Sequence, residues 1–197
     1  VGLVLFRPAV GVMLLLGYTT VEPAAAEPAV GPLLLGLAAI FVGWMIQGAA
    51  EEVLTRGFLL PILGLEWGLT AGVILSSSLF ALLHFLNPNV SLIAFLNLFL
   101  FGAFAALYAL AEGDLWGVFA IHSVWNWAQG NLFGYEVSGQ AIGGATLFNF
   151  TETGPDFLTG GPFGPEGGLI VTAVLIVGCV WVWWRHQREQ SIQTPAP

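Results

Sequence analysis

Residues 30–64 read VGPLLLGLAAIFVGWMIQGAAEEVLTRGFLLPILG. Nearly every side chain in this stretch is apolar. It is longer than the roughly 20 residues an α-helix needs to cross a hydrocarbon core about 30 Å thick. It also carries Glu51, Glu52 and Arg56, which lipid does not welcome. The excess length predicts a bend or break, near Gly48, Gly57 or Pro61.

Working outward, further apolar runs cover about 1–18 (interrupted by Arg7-Pro8), 69–86, 90–111, 115–133 and 168–184. Polar breaks separate them: a stretch with Glu22, Pro23, Glu27 and Pro28, then Asn87-Pro88-Asn89, then Glu112-Gly113-Asp114. Residues 134–167 differ in character, being rich in glycine and holding Pro155, Pro162 and Pro165. Irregular backbone cannot cross lipid with its amides unpaired. This segment is therefore expected at the surface, or folded back over the bundle as a lid.

The pattern predicts an all-α fold: a polytopic transmembrane helical bundle of about six membrane segments. A Gly/Pro-rich loop lies between the last two, and one domain covers 1–197. Composition agrees, since 57% of the 197 residues are hydrophobic and 8% charged, against about a quarter charged in soluble domains. So few charges cannot cover a water-soluble surface.

The formal net charge is −8, from 12 acids and 4 bases, and the bases are Arg7, Arg56, Arg185 and Arg188. Phosphate binding needs a basic surface, so nucleic acid is excluded as a partner; the bilayer is the partner expected. Arg7 lies near the first run, and Arg185 and Arg188 follow the last. The positive-inside rule then places both termini in the cytoplasm of an integral multi-pass protein of the cell membrane. Cys179 stands alone, so no intrachain disulfide can form, and its apolar surroundings read as inert packing. Val1 in place of Met admits a truncated N-terminus, and no signal-peptide cleavage pattern is evident.

An ionisable group within the bilayer costs a few kcal/mol on insertion scales, so it needs a partner or a task. Glu52 and Arg56 are four residues apart and share a helix face, so they can pair. Glu51 is rotated about 100° from Glu52 and can face elsewhere. His84 ends the third run, with Phe80 one turn earlier. If the chain turns near Glu66-Trp67-Gly68, Glu51 and His84 lie roughly 21 and 26 Å from that turn on antiparallel neighbours. His122 and Asn126 share a face of the fifth run, flanked by Trp125 and Trp127, whose type favours membrane interfaces.

Each feature also has a bland reading: a structural ion pair, a packed histidine, and interhelical hydrogen-bonding glue. Together they suit hydrolysis, which needs a base, a held water and donors for the developing oxyanion. Glu51 is the candidate base, His84 can hold the water, and His122 and Asn126 can serve the oxyanion. No serine elbow, Cys/His pair or phosphate-binding glycine loop presents itself.

Glu-Glu-x-x-x-Arg at 51–56, Phe-x-x-x-His at 80–84 and His-x-x-x-Asn at 122–126 fall in order on separate apolar runs. In this the chain resembles the CPBP (Abi) family of intramembrane proteases, which includes the type II CAAX prenyl endopeptidases. The resemblance covers about 40–185. It implies a helical bundle around a cavity open to membrane and cytoplasm. It further implies catalysis by Glu51, His84, His122 and Asn126, supported by Glu52, Arg56 and Phe80. The substrate would be a membrane-associated protein or peptide, with prenylated, CAAX-like proteins as one class. No cofactor is favoured. The alternative is a zinc-dependent form of the same protease, with Glu51, His84 and His122 as ligands. A further alternative is a non-enzymatic membrane protein such as a bacteriocin-immunity factor or scaffold.

Overall fold

A computed structural model of the chain describes residues 2–22 and 29–193, apart from the side chains of 189–193. Pro23, Glu27 and Pro28 of the first polar stretch lie outside the described residues.

Helix α1 covers Gly2–Leu15. Helix α2, Val30–Glu52, runs on through a π-helical stretch, Val53–Leu59, into α3, Leu60–Trp67. The expected bend or break at Gly48, Gly57 or Pro61 is not a break: the three form one continuous helical rod of 38 residues, and its irregularity is the π-helical stretch, which contains Gly57. The physical reason lies at Pro61, within the first turn of α3. A proline cannot donate, and its ring crowds the carbonyl four residues back. The wider π winding just before it absorbs that defect without ending the helix.

Gly68, at φ 87°, turns the chain into α4, Leu69–Leu83. The hairpin closes tightly because both sides are small. A Cβ on Gly72 would lie 2.8 Å from the Gly64 Cα. Helix α5, Leu92–Glu112, begins where the Ser91 side chain accepts from the Ala94 N–H and ends at left-handed Gly113. Helix α6, Trp116–Trp127, continues into a second π stretch, Ala128–Leu132. A short antiparallel pair, β1 (Thr19–Val21) with β2 (Phe150–Glu152), departs from the purely helical expectation. It ties the segment after α1 to the glycine-rich region. Helix α7 is a single turn, Asp156–Thr159, and α8 covers Leu169–Gln193.

Among the described residues, Val30–Trp67, Leu92–Glu112 and Leu169–Arg188 are long and apolar enough to cross a membrane; Gly2–Leu15 and Leu69–Leu83 are apolar but shorter. The surface is strongly apolar, with Leu34, Leu35, Ile46, Leu65 and Leu86 exposed. Water would not tolerate that surface on a monomer, whereas lipid would. Helix α5 is the inner member, with Phe101 and Phe104 buried. Trp125, one of the two tryptophans flanking Asn126, is a core residue. It packs against Phe6 and Phe101 at centroid distances of 5.1 and 5.9 Å.

The glycine-rich segment folds back over the bundle as a strap. Asn97 Nδ2 on α5 donates to the carbonyls of Glu166 (2.8 Å) and Gly168 (2.9 Å). Thr172 Oγ1 donates to Asn97 Oδ1 at 2.7 Å. The Gly139 N–H reaches the Phe163 carbonyl at 2.9 Å. Such a path needs glycine. Gly160 sits at φ 104°, and a Cβ there would meet the Gly164 carbonyl oxygen at 1.9 Å.

On β2, both Glu152 carboxylate oxygens are buried without a hydrogen-bond partner. Burial pushes this carboxyl up from 4.5 to about 8, and neighbouring Glu136 and Asp156 push the same way. A carboxyl that holds its proton more tightly when folded loses stability as pH rises from its unfolded value to its folded one. Stability should therefore fall between about pH 4.5 and about pH 8. Glu152→Gln should unfold at a higher temperature than the parent at the top of that window and match it at the bottom. Thermal unfolding of the detergent-solubilised protein across pH checks this.

Candidate active site

The charged residues of the first long rod lie at its junction with the π stretch. Glu52 and Arg56 are fully buried, and Arg56 Nη1 lies 3.0 Å from both Glu52 oxygens. Nη1 also donates to Thr55 Oγ1 at 2.7 Å, and Nη2 donates to the Gly102 carbonyl at 2.9 Å. The guanidinium carbon stands 4.7 Å from the Phe80 ring centroid. Phe80 thus joins the site as the wall over Arg56. Glu52 turns its Oε1 to His122 Nδ1 at 2.8 Å. A carboxylate paired with arginine accepts, so His122 Nδ1 carries the hydrogen.

Glu51 points elsewhere, as the rotation from Glu52 requires. Its Oε1 accepts from Gln47 Nε2 at 2.5 Å. Its Oε2 lies 3.8 Å from His84 Nε2 and 3.8 Å from His122 Nε2, and has no hydrogen-bond partner of its own. His84 Nδ1 meets the Phe80 carbonyl at 2.8 Å. A carbonyl only accepts, so in the neutral ring the lone pair of His84 sits on Nε2. The same holds for neutral His122. Three acceptor atoms therefore face one another: one carboxylate oxygen and two imidazole nitrogens. This arrangement can hold a water by its two hydrogens and take one of them. It also offers three donor atoms to a cation, although no described group of three or more His, Cys, Asp and Glu side chains has metal-site geometry.

Asn126 reaches the site through an intermediary. Its Nδ2 donates to Gln47 Oε1 at 3.1 Å, and Gln47 in turn donates to Glu51. Helices α2 and α6 approach closely enough for this because Gly48 faces Ser123. A Cβ on Gly48 would lie 2.9 Å from the Ser123 hydroxyl. Glu51, His84, His122 and Asn126 all line one cavity of about 260 Å³. Its walls include Trp44 and Phe101, and the strap contributes Ser138 and Glu166.

Sequence reading missed Gln47, Ser138 and Glu166. Gln47 was legible, since it lies one turn before Glu51 on the same face. Ser138 gave no such signal, and Glu166 only its place in the TGGPFGPEGGL stretch at 159–169, which resembles bacterial members of the CPBP family, because their position depends on how the strap folds. Two π stretches directly follow the two site-bearing helices. That winding recurs at functional sites, and no sequence period announced it.

Residues 32–128 match the family described as "Type II CAAX prenyl endopeptidase Rce1-like". The match contains each of the seven positions singled out from sequence and stops short of the strap. No match is found among curated proteins or among solved structures.

Removing the guanidinium would leave Glu52 as a buried, uncompensated charge. Arg56→Met should destabilise the protein by about 3–5 kcal/mol. Glu52→Gln combined with Arg56→Met should recover part of that loss. Chemical unfolding of the two variants in matched detergent tests the pairing; equal losses in both would count against it.

Proposed function

We propose that this chain, which belongs to the Rce1-like family of type II CAAX prenyl endopeptidases, is an intramembrane endopeptidase using a glutamate-activated water. The observation that supports this most is Glu51 Oε2, buried and unpartnered, facing two imidazole Nε2 atoms at 3.8 Å each.

A water among these atoms gives one hydrogen to Glu51 Oε2 and the other to His84 Nε2, which Phe80 holds in the required tautomer. As Glu51 takes its proton, the water oxygen attacks the peptide carbonyl. His122 serves the oxyanion when doubly protonated. Glu52 then balances the imidazolium, while Nε2–H points into the cavity. The second N–H of Asn126, the one not given to Gln47, can join it. Glu52 and Arg56 position His122 and touch no substrate. The substrate class is a membrane-associated protein or peptide, with prenylated CAAX-like chains the first to try. The protein would sit in the cell membrane as about six segments, with both termini cytoplasmic, as Arg7, Arg185 and Arg188 favour.

One second reading would have Glu51, His84 and His122 hold a zinc ion, which would supply Lewis-acid activation of water, although no described group has metal-site geometry. Glu51→Gln should lower cleavage of a farnesylated CAAX peptide by about 10²–10⁴-fold while leaving the thermal unfolding profile unchanged. Retained cleavage would remove Glu51 from the chemistry. If Glu51→Gln and His84→Ala also kept the cellular phenotype at matched expression, a non-enzymatic scaffold would be the better description. Full activity after thorough chelation decides against zinc, and recovery only on zinc addition decides for it.

A further inference from the structure

A second carboxyl lines the cavity that holds Glu51. Glu166 lies on the strap, in the short 3₁₀ turn Pro165–Gly167. Its backbone carbonyl is fixed by Asn97 Nδ2 at 2.8 Å. Its Oε1 accepts both from the Ser138 N–H and from Ser138 Oγ, the latter at 2.6 Å. Both side-chain bonds thus fall on one oxygen. Oε2 takes no hydrogen bond from the described residues, and it is not sealed away as the Glu51 Oε2 is. A purely structural carboxyl would be expected to use both oxygens in the wall. This one is held by one oxygen, and the other is left without a partner on a residue that lines the cavity.

The peptidase reading needs a proton donor for the leaving group, and Glu166 offers one beside the Glu51 that has taken the water's proton. An amide nitrogen cannot depart as an anion, so something must give it a proton as the C–N bond breaks. We propose that Glu166 is the general acid of the site, protonating the leaving amine from Oε2. The inference rests on the peptidase reading given above. In the balanced step, the water oxygen bonds to the carbonyl carbon while one water proton goes to Glu51. The C–N bond then breaks as the Glu166 proton passes to nitrogen. Glu51 is left protonated and Glu166 ionised, and one proton moved through cavity water restores both.

The environment favours the protonated form. Burial raises the proton affinity of Glu166, while the Ser138 bonds and the positive charge available to His84 and His122 oppose it. The titratable groups sharing its cavity are Glu51 from α2, His84 from the end of α4 and His122 from α6. Of the helices packed against its turn, α5 gives it Asn97, α8 contributes Leu175 to the cavity, and α7 carries the titratable Asp156. Two carboxyls set in unlike surroundings are the usual basis for dividing base and acid roles.

The test uses the full chain in lipid nanodiscs with an internally quenched farnesylated peptide, and with the matched peptide carrying an ester at the scissile bond. Glu166→Gln keeps an oxygen for Ser138 but has no proton to give. Its kcat on the amide should fall by about 10²-fold or more with KM little changed, and the alkaline limb of the pH profile should vanish. The ester, whose leaving group needs less assistance, should lose much less. Ser138→Ala loosens the strap yet keeps the acid, so it should retain the alkaline limb and the wild-type amide-to-ester ratio. Unchanged amide kcat in Glu166→Gln overturns the proposal, as does an equal loss on amide and ester. Infrared titration gives a readout free of substrate: in a Glu152→Gln background a protonated-carboxyl band should persist to higher pH than an exposed glutamate's, and Glu166→Gln should remove it; a band unchanged by Glu166→Gln overturns the proposal. Cleavage surviving Glu51→Gln would instead overturn the peptidase reading. A dead Glu51→Gln beside a fully active Glu166→Gln would overturn the acid role alone.

Discussion

The buried triplet of Arg56, Glu52 and His122 is the constraint around which the site is arranged. A lone charge at this depth would be too costly to keep, yet here the arginine and the carboxylate neutralise each other at 3.0 Å. Nη1 and Nη2 also donate to Thr55 and the Gly102 carbonyl, while Nε is buried without a partner. That single cluster links the rod to α5, through Gly102, and to α6, through His122. It also sets which nitrogen of His122 bears hydrogen. Because Glu52 absorbs the only buried arginine among the described residues, Glu51 one position away is left without a cation. Adjacent glutamates thereby acquire opposite roles from a rotation of about 100°.

Helix geometry explains how a site with such short distances can be assembled from three separate segments. The long rod and α6 each carry a pair of polar groups one turn apart, Gln47 with Glu51 and His122 with Asn126. Each pair lies just before a π stretch. Small residues at Gly48 and Ser123 allow those two helices to approach until Gln47 bonds Asn126 across the gap. The third segment supplies His84 from a helix end rather than a helix interior. There the backbone is free to leave, and Asn87 ties it to the Ser138 carbonyl at 3.0 Å.

The strap gives the cavity its remaining wall and a different chemistry. Lipid hydrocarbon could close an apolar opening, but it offers no carboxyl or hydroxyl. The folded-back segment adds Ser138 and Glu166 to a cavity whose other walls come from the helices. Its hydrogen bonds run mostly between its own backbone, Asn97 and Thr172, which satisfies irregular chain beside a helical bundle. The dense glycines follow from that close path, with Gly160 as the tightest point.

Much of this was legible in the sequence because it depends on local rules. Apolar runs of membrane length mark helices, the turn at Gly68 follows from a break between two runs, and a four-residue spacing places Glu52 with Arg56 and His122 with Asn126 on shared faces. The family motifs named the side chains that meet. Tertiary structure decided what spacing cannot encode. It kept the first long helix continuous by π winding before Pro61, and it packed Trp125 into the core against Phe6 and Phe101. It inserted Gln47 between Asn126 and Glu51, and it carried Glu166 across from a distant loop. The division has a physical basis. Periodicity reports which face a residue occupies on its own helix, whereas the partner on another segment is chosen by packing and by which polar atoms remain to be satisfied.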